Sequence, residues 1–220
     1  MSDYSTARLK MVDGQVRPSD VTDIRILDAM LAVPREEFVP ASLRAMAYLD
    51  LDLDVAGGKT KRCLLKPYVL AKMLQAAEIS ETDTVLVVGC ASGYSAAVIA
   101  KLAARVVATE PDADLAAAAK ANLAKAGAAN ATVTKTDPAA GDAAHGPYDV
   151  IVLEGSTEVV PEGLYSQLKM GGRLAGVFAI ASPSKAWLVT RSPGDFGNRV
   201  LFDASAPVLP GLERVPAFSF

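Results

Sequence analysis

A glycine-containing turn and a later acidic residue have the spacing of a nucleoside-binding site. The turn runs from Gly89 to Gly93 and follows an apolar run, and Glu110 comes at the end of a second apolar run. Glycines let a ligand approach the backbone closely, and a carboxylate at this place accepts hydrogen bonds from the two hydroxyls of a ribose. A glycine turn that only packs a helix on a strand, with Glu110 at the surface, is the alternative interpretation.

The turn departs from the glycine pattern of a dinucleotide site. That pattern is G-x-G-x-x-G, but Ala91 occupies the place of the second glycine and no third glycine follows Tyr94. The turn is therefore poorly suited to bind a pyrophosphate. The sequence favours S-adenosylmethionine over NAD.

Two further acids follow predicted strands. Asp137, which precedes Pro138, has the right chemistry to accept a hydrogen bond from an adenine amino group, but Asp before Pro is also a common turn former. Glu154 directly follows an apolar strand. A carboxylate at that place is rarely buried without a partner, so we consider it both as a catalytic group and as a solvated loop acid.

A basic loop precedes the helix that begins at Pro67. It contains Lys59, Lys61, Arg62 and Lys66. Arg62 has a guanidinium that can hold a substrate carboxylate through two nitrogens. A solvated basic loop is the other interpretation.

The elements that position these residues alternate between strands and helices. Apolar runs predict strands over 84–88, 105–110, 131–135, 148–153 and 173–178, with helices at 94–104, 112–126 and 164–168. This order predicts an α/β fold, a Rossmann-like doubly wound, mostly parallel sheet with helices on both faces. Residues 187–190 and 200–202 predict a C-terminal antiparallel hairpin.

The first third of the chain has a different organisation. Helical spacing predicts helices over 24–31 and 67–77, and alternating apolar and acidic residues predict a strand over 49–55. We therefore expect an N-terminal helical and strand segment, residues 1–78, that covers a core of residues 79–220 as a lid within one compact unit.

Composition limits the classes of function. The 220 residues include 22 basic and 25 acidic side chains, two cysteines and one histidine. The balance of charge does not favour a nucleic-acid or membrane partner, and so few cysteines and histidines argue against a disulfide scaffold and a metal site. The first residues lack the apolar core of a secretory signal, so we expect a cytoplasmic protein.

Several stretches resemble the protein-L-isoaspartate O-methyltransferases. They are the strings VPREEFVP at 33–40, SGYSAA at 92–97, GPYD at 146–149 and GGRL at 171–174. The resemblance covers most of residues 11–177. It implies a seven-stranded fold and methyl transfer from S-adenosylmethionine to the α-carboxylate of isoaspartyl residues in damaged proteins or peptides, a repair reaction without a metal.

The resemblance also implies roles for individual residues. On that basis the methionine part of the cofactor lies against Gly89, Ser92, Gly93 and Tyr94. Glu110 would hold the ribose, with Pro111 and Asp112 beside it, and the adenine would lie between Asp137 and Pro138.

The chain departs from the family in the expected acceptor pocket. The family's loop GQTISQP reads KRCLLKP at 61–67, which places Leu65 where the family has serine, although a gapped match would place 58–60 there instead. Glu154 replaces a small or hydroxyl residue, and the acid within the first strand and the second loop glycine of the family are Val87 and Ala91 here. Arg62, Leu65 and Glu154 remain candidates for the acceptor pocket. A methyltransferase with another acceptor and a non-catalytic S-adenosylmethionine-binding protein are the alternatives.

Overall fold

The computed structural model describes residues 4–58 and 60–215 and has six α-helices and nine strands within these ranges. The elements in chain order are α1 (Tyr4–Met11), α2 (Ile24–Ala32), β1 (Leu53–Asp54), β2 (Cys63–Leu64), α3 (Pro67–Ala77), β3 (Thr84–Val88), α4 (Tyr94–Ile99), β4 (Arg105–Thr109), α5 (Ala113–Lys125), β5 (Ala131–Thr134), β6 (Tyr148–Thr157), α6 (Glu162–Tyr165), β7 (Leu168–Phe178), β8 (Lys185–Ser192) and β9 (Asp195–Asp203). Short 3₁₀ turns, among them Arg35–Phe38, connect the N-terminal elements.

Seven strands form one sheet in the order β5-β4-β3-β6-β7-β8-β9. The five strands from β5 to β7 in that order are parallel, and β8 and β9 are antiparallel to their neighbours. The chain runs outward from β3 to β5 and then crosses back to place β6 on the other side of β3. Such a reversal of strand order opens a crevice at the carboxyl ends of the strands, where ligands bind in open α/β sheets. The predicted fold class is confirmed.

The central strands form because their side chains are apolar on both faces. Val85, Leu86, Val87 and Val88 of β3 are all fully buried, as are the corresponding residues of β6 from Val150 to Leu153. Continuous apolar runs of this kind are typical of parallel strands covered by helices on both sides. One hydrophobic cluster joins the N-terminal helices to one face of the sheet, and a second cluster lies on the other face.

The last two strands form the predicted hairpin. Pro193 and Gly194 connect Ser192 of β8 to Asp195 of β9, and Gly194 has φ +80°. A positive φ after proline is the geometry of a tight turn that glycine adopts without strain. No helix in the described ranges is long and apolar enough to cross a membrane.

Several predicted boundaries of strands and helices were wrong. The predicted strand over 49–55 is reduced to Leu53–Asp54, and the predicted helix over 94–104 ends at Ile99. The Asn130 side chain donates to the carbonyls of Ala100 and Ala103, which satisfies the end of that helix. Leu168 starts β7 instead of belonging to a helix.

Strand β6 continues beyond its predicted end. Ser156 and Thr157 pair with Val177 and Phe178 of β7, and the register shifts between Val152 and Ser156. A bulge of this kind turns a side chain away from the regular alternation. Glu154 therefore lies inside a bulged strand and not in a loop after it.

A buried arginine ties the N-terminal segment to the crevice. Arg35 is fully buried, and its Nε and Nη2 donate to the carbonyls of Ala47 and Leu65 at 2.8 Å each. Its guanidinium carbon lies 4.7 Å from the centre of the Tyr94 ring. One side chain thus connects three segments that are distant in sequence.

We predict that Arg35→Ala lowers the free energy of unfolding by about 2–4 kcal/mol, because it leaves two buried carbonyls without donors and removes packing. Arg35→Lys should restore little of the lost stability, since a single ammonium nitrogen does not reproduce the two donor positions of the planar guanidinium. Urea unfolding measures both variants.

The matched control is Arg105→Ala, because Arg105 is exposed at the start of β4. It should stay within about 0.5 kcal/mol of the unmodified chain. A loss for Arg35→Ala no larger than that of the control would show that Arg35 does not hold these segments together.

Candidate functional site

The carboxyl ends of three neighbouring strands bring the candidate residues together. Gly89 follows β3, Glu110 follows β4, and Glu154 lies in the bulge of β6. Two other segments lie against this edge. The first is the loop before β2, which carries Arg62, and the second is residues 204–212 after β9.

The turn after β3 has the backbone that a close approach requires. Gly89 and Gly93 have φ +71° and +95°, and Ala91 between them has φ +49°. The left-handed region costs a residue with a Cβ roughly 1–2 kcal/mol, so Ala91 carries strain at this place. A Cβ at Gly93 would lie only 3.2 Å from Cβ of Ala119, so the absence of a side chain there lets α5 pack closely on the turn.

Glu110 is fully buried and is neutralised by Arg62. Arg62 Nε donates to Glu110 Oε1 at 3.1 Å, and Arg62 Nη2 donates to Oε2 at 2.7 Å and to the Gly89 carbonyl at 2.6 Å. The N–H groups of Ala91 and Asp112 donate to the two carboxylate oxygens at 2.7 Å and 3.3 Å. The chain itself therefore fills the accepting positions of this carboxylate.

Arg62 is a buried residue and not part of a solvated loop, since only 3% of it is exposed. Its guanidinium does grip a carboxylate with two nitrogens, but the carboxylate is Glu110 of the same chain. Of the neighbouring cations, Lys61 is exposed and Lys66 is half-buried, and Lys59 lies outside the described residues.

Leu209 lies on the glycines of this edge and was not among the sequence candidates. A Cβ on Gly89 would meet Arg62 Nη2 at 2.6 Å and Leu209 Cδ2 at 2.7 Å, and a Cβ on Gly155 would also meet Leu209 Cδ2 at 2.7 Å. Leu209 is fully buried, and its N–H donates to the Ser156 carbonyl at 2.9 Å. The space beside Gly89 is filled by the two side chains of Arg62 and Leu209.

The residues expected beside the adenine lie under the same C-terminal segment. Asp137 is exposed, Pro138 is buried, and Asp137 Oδ1 accepts from the Ala139 N–H at 2.9 Å. A Cβ on Gly211 would lie 2.6 Å from Asp137 Oδ1. Between this segment and β4 there is a small cavity of about 270 Å³, which is lined by Thr60, Arg62, Pro111, Asp112 and Pro210.

Ser92 and Tyr94 contact the segment Arg35–Phe38. Ser92 Oγ donates to the Phe38 carbonyl at 2.5 Å, and the Phe38 and Tyr94 rings meet edge to face with 5.6 Å between centroids. Tyr94 is fully buried. Both residues hold the N-terminal segment in place in this structure.

Leu65 and Glu154 are in direct contact. The Leu65 N–H donates to Glu154 Oε1 at 3.3 Å, and both residues are buried. Burial raises the pKa of Glu154 to about 7, against smaller lowering effects of the Ser95 hydroxyl and the Leu65 N–H. Within the described ranges, Glu154 Oε2 has no hydrogen-bond partner.

The structure places seven of the twelve candidates in three groups. Gly89, Arg62 and Glu110 form one contact group, and Leu65 with Glu154 forms a second next to it. The adenine candidates at 137–138 form a third group across the C-terminal segment. No group of three or more His, Cys, Asp or Glu side chains in the described ranges is arranged to hold a metal ion.

The residue types fit S-adenosylmethionine, but the space beside them is taken. A buried carboxylate after β4 and a glycine of positive φ after β3 are suited to a ribose and a close ligand. With Arg62 and Leu209 where they are, a ligand atom cannot reach either group. A nucleoside fits this site only after both side chains move.

The chain matches the family model of protein-L-isoaspartate(D-aspartate) O-methyltransferase over residues 8–183. It is 39% identical to protein-L-isoaspartate O-methyltransferase of Koribacter versatilis over 83% of this chain and 80% of that protein. A protein of the same name from Rhodopseudomonas palustris is 38% identical over 92% of this chain and 93% of its own.

Solved structures agree with these sequence matches. A protein-L-isoaspartate O-methyltransferase superposes with a TM-score of 0.84 at 25% identity, over 94% of this chain and 67% of the other. A Plasmodium falciparum protein described as a putative member, in complex with S-adenosyl-L-homocysteine, shares the fold with a TM-score of 0.79 at 18% identity, over 92% and 97% of the two chains. The chain therefore belongs to the protein-L-isoaspartate(D-aspartate) O-methyltransferase family.

Proposed function

We propose that the protein transfers a methyl group from S-adenosylmethionine to the α-carboxylate of isoaspartyl residues in proteins or peptides. Membership of the family supports this activity. We also propose that residues 1–78 act as a lid on the core of residues 79–220, and that the protein works on damaged proteins of the cytoplasm.

The observation that carries the proposal is the position of Glu110. Its carboxylate stands at the carboxyl end of β4, next to the strand-order reversal and directly across from Gly89. A carboxylate there would hold the ribose hydroxyls of the cofactor once Arg62 has released it. When bound, the cofactor supplies a methyl group on a positively charged sulfur.

The reaction places modest demands on the side chains of the chain. A carboxylate acceptor has an ordinary pKa of about 4 and is ionised at neutral pH, so no general base is needed. The main task is to hold the acceptor oxygen in line with the methyl group and to exclude water. The absence of a serine at position 65 removes an orienting group and not a proton acceptor.

A methyltransferase with a different acceptor is the second candidate, and Glu154 favours it. Its buried carboxyl is next to Leu65, where the family has its serine. When ionised, this group would repel an acceptor carboxylate and attract an amine. Its pKa of about 7 makes that repulsion increase with pH through the neutral range.

We predict methyl transfer from labelled S-adenosylmethionine to an isoaspartyl peptide, and transfer to the matching aspartyl peptide that is slower by roughly a hundredfold. The two peptides differ by the position of one methylene group, and a displacement of this size breaks the in-line geometry. Counting the labelled methyl ester measures both rates.

A peptide in which glutamine replaces the isoaspartyl residue is the blank. Equal labelling of the isoaspartyl and aspartyl peptides would contradict the assignment of the acceptor. Labelling of a lysine-containing peptide alone would favour the second candidate.

We predict that Glu154→Gln stabilises the protein at pH 8 by about 2–3 kcal/mol more than at pH 5. In the folded chain the pKa of Glu154 is about 7, above its ordinary value of 4.5, so folding favours the protonated form. The stability that this preference contributes is fully present below pH 4.5. It falls as the unfolded chain ionises above that value, and it is lost once the pH has risen through 7. The neutral amide avoids this loss, which is on the order of 3 kcal/mol at pH 8.

Urea unfolding at both pH values measures this difference. Glu81→Gln is the control, because Glu81 is exposed and should give the same result as the unmodified chain at each pH. An effect of Glu154→Gln that is equal at pH 5 and pH 8 would show that Glu154 does not titrate in this range.

A further inference from the structure

We propose that Arg62 and Leu209 form an internal plug of the nucleoside site, so that a nucleoside binds only when both side chains leave. The plug is defined by these two residues. The proposal rests on the proposed function for its choice of ligand, S-adenosylmethionine or its product S-adenosylhomocysteine. It makes Arg62 and Leu209 determinants of the affinity of the site.

The guanidinium of Arg62 takes the place of a ribose in chemical terms. A ribose offers two hydroxyl donors to a carboxylate, and Arg62 offers Nε and Nη2 to the two oxygens of Glu110 at 3.1 and 2.7 Å. Its Nη2 also donates to the Gly89 carbonyl. A ligand that uses Glu110 in this way therefore competes directly with Arg62.

Leu209 blocks the remaining approach to the glycines. Its Cδ2 lies 2.7 Å from the places where a Cβ would stand on Gly89 and on Gly155, so it contacts both backbones. Hydrogen bonds keep it there, since Ser156 N–H donates to the Pro207 carbonyl at 2.8 Å and Leu209 N–H donates to the Ser156 carbonyl at 2.9 Å.

The segment that carries Arg62 has few backbone bonds, whereas residues 204–212 are held by several bonds to Ser156 and Glu158. Arg62 directly precedes β2, which forms only a two-residue ladder with β1. The Arg62 carbonyl accepts a hydrogen bond from the Val55 N–H at 2.8 Å. Segments with so few backbone bonds open locally at low cost. The cavity of about 270 Å³ between Thr60 and Pro210 lies where the two segments meet, and it marks where they would separate.

A plug raises the apparent dissociation constant by the inverse of the open population. If the open state is one tenth of the molecules, the apparent dissociation constant is about tenfold above that of the open state. Removal of one plug side chain leaves the other in place, so it should recover part of this factor, and removal of both should recover the whole factor. A residue that merely contacted the ligand would have the opposite effect, because its removal would weaken binding.

The test measures S-adenosylhomocysteine binding by calorimetry to the full chain and to Arg62→Ala, Leu209→Ala and Lys61→Ala. We expect each plug variant to bind more tightly than the unmodified chain, by up to about tenfold for an open state of one tenth. Lys61→Ala should bind as the unmodified chain does, since Lys61 is an exposed cation next to Arg62. Leu209→Ala keeps the Arg62–Glu110 pair, so it serves if Arg62→Ala does not fold.

Methylguanidinium provides a second readout on the Arg62→Ala protein. This ion should occupy the emptied place beside Glu110 and compete with S-adenosylhomocysteine there, and it should leave binding to Lys61→Ala unchanged. Equal competition in both variants would count against a guanidinium place at Glu110.

Hydrogen exchange of backbone amides in the unmodified chain gives a third readout. On addition of S-adenosylhomocysteine, the amides of Val55 and Leu209 should exchange faster, because the bonds that hold the plug segments break. Slower exchange at both amides would overturn the plug.

The outcomes separate the two proposals. Equal or weaker binding by both plug variants overturns the plug and leaves the proposed function in place. If neither S-adenosylhomocysteine nor adenosine binds to the unmodified chain or to any variant, the proposed cofactor is wrong and the plug falls with it.

Discussion

The organisation of the crevice depends on a buried carboxylate that has to be neutralised. Glu110 is completely shielded from water, and an ionised carboxylate in such a place is costly unless it is paired and hydrogen-bonded. The fold meets this requirement with one guanidinium and two backbone N–H groups. The positions of the loop before β2 and of the turn after β3 both follow from that need.

A second guanidinium performs a related task on the other side of the crevice. Arg35 donates to backbone carbonyls and lies over an aromatic ring, while Arg62 binds a carboxylate. The carbonyl of Leu65 accepts a hydrogen bond from Arg35, and the N–H of Leu65 donates one to Glu154. Because β2 lies between the two arginines, both of them determine the position of Leu65, in the expected acceptor pocket.

Much of the fold was predictable from the sequence because its signals are local. Continuous apolar runs identified the buried parallel strands, and the segments 187–190 and 200–202 identified the hairpin. Glu110 was found because a strand end next to a glycine turn is a recognisable position.

The rest of the site was not predictable, because it depends on contacts between distant segments. Nothing near Arg62 in the sequence indicates a partner 48 residues away. The bulge that buries Glu154 arises from pairing with β7, and the continuous apolar run of β6 does not indicate it. Leu209 lies in a segment without regular structure, where a leucine between valine and proline was the one available signal.

The contact of residues 204–212 with the crevice has a consequence for the order of folding during synthesis. The glycines at 89 and 155 leave the ribosome long before Leu209, so the parallel strands β3 to β7 can pair while their carboxyl edge is still open to solvent. A nascent chain would in that interval present an uncovered apolar surface and the unshielded turn after β3. Closure of this edge is therefore a late event, and chains released before residue 204 would lack it.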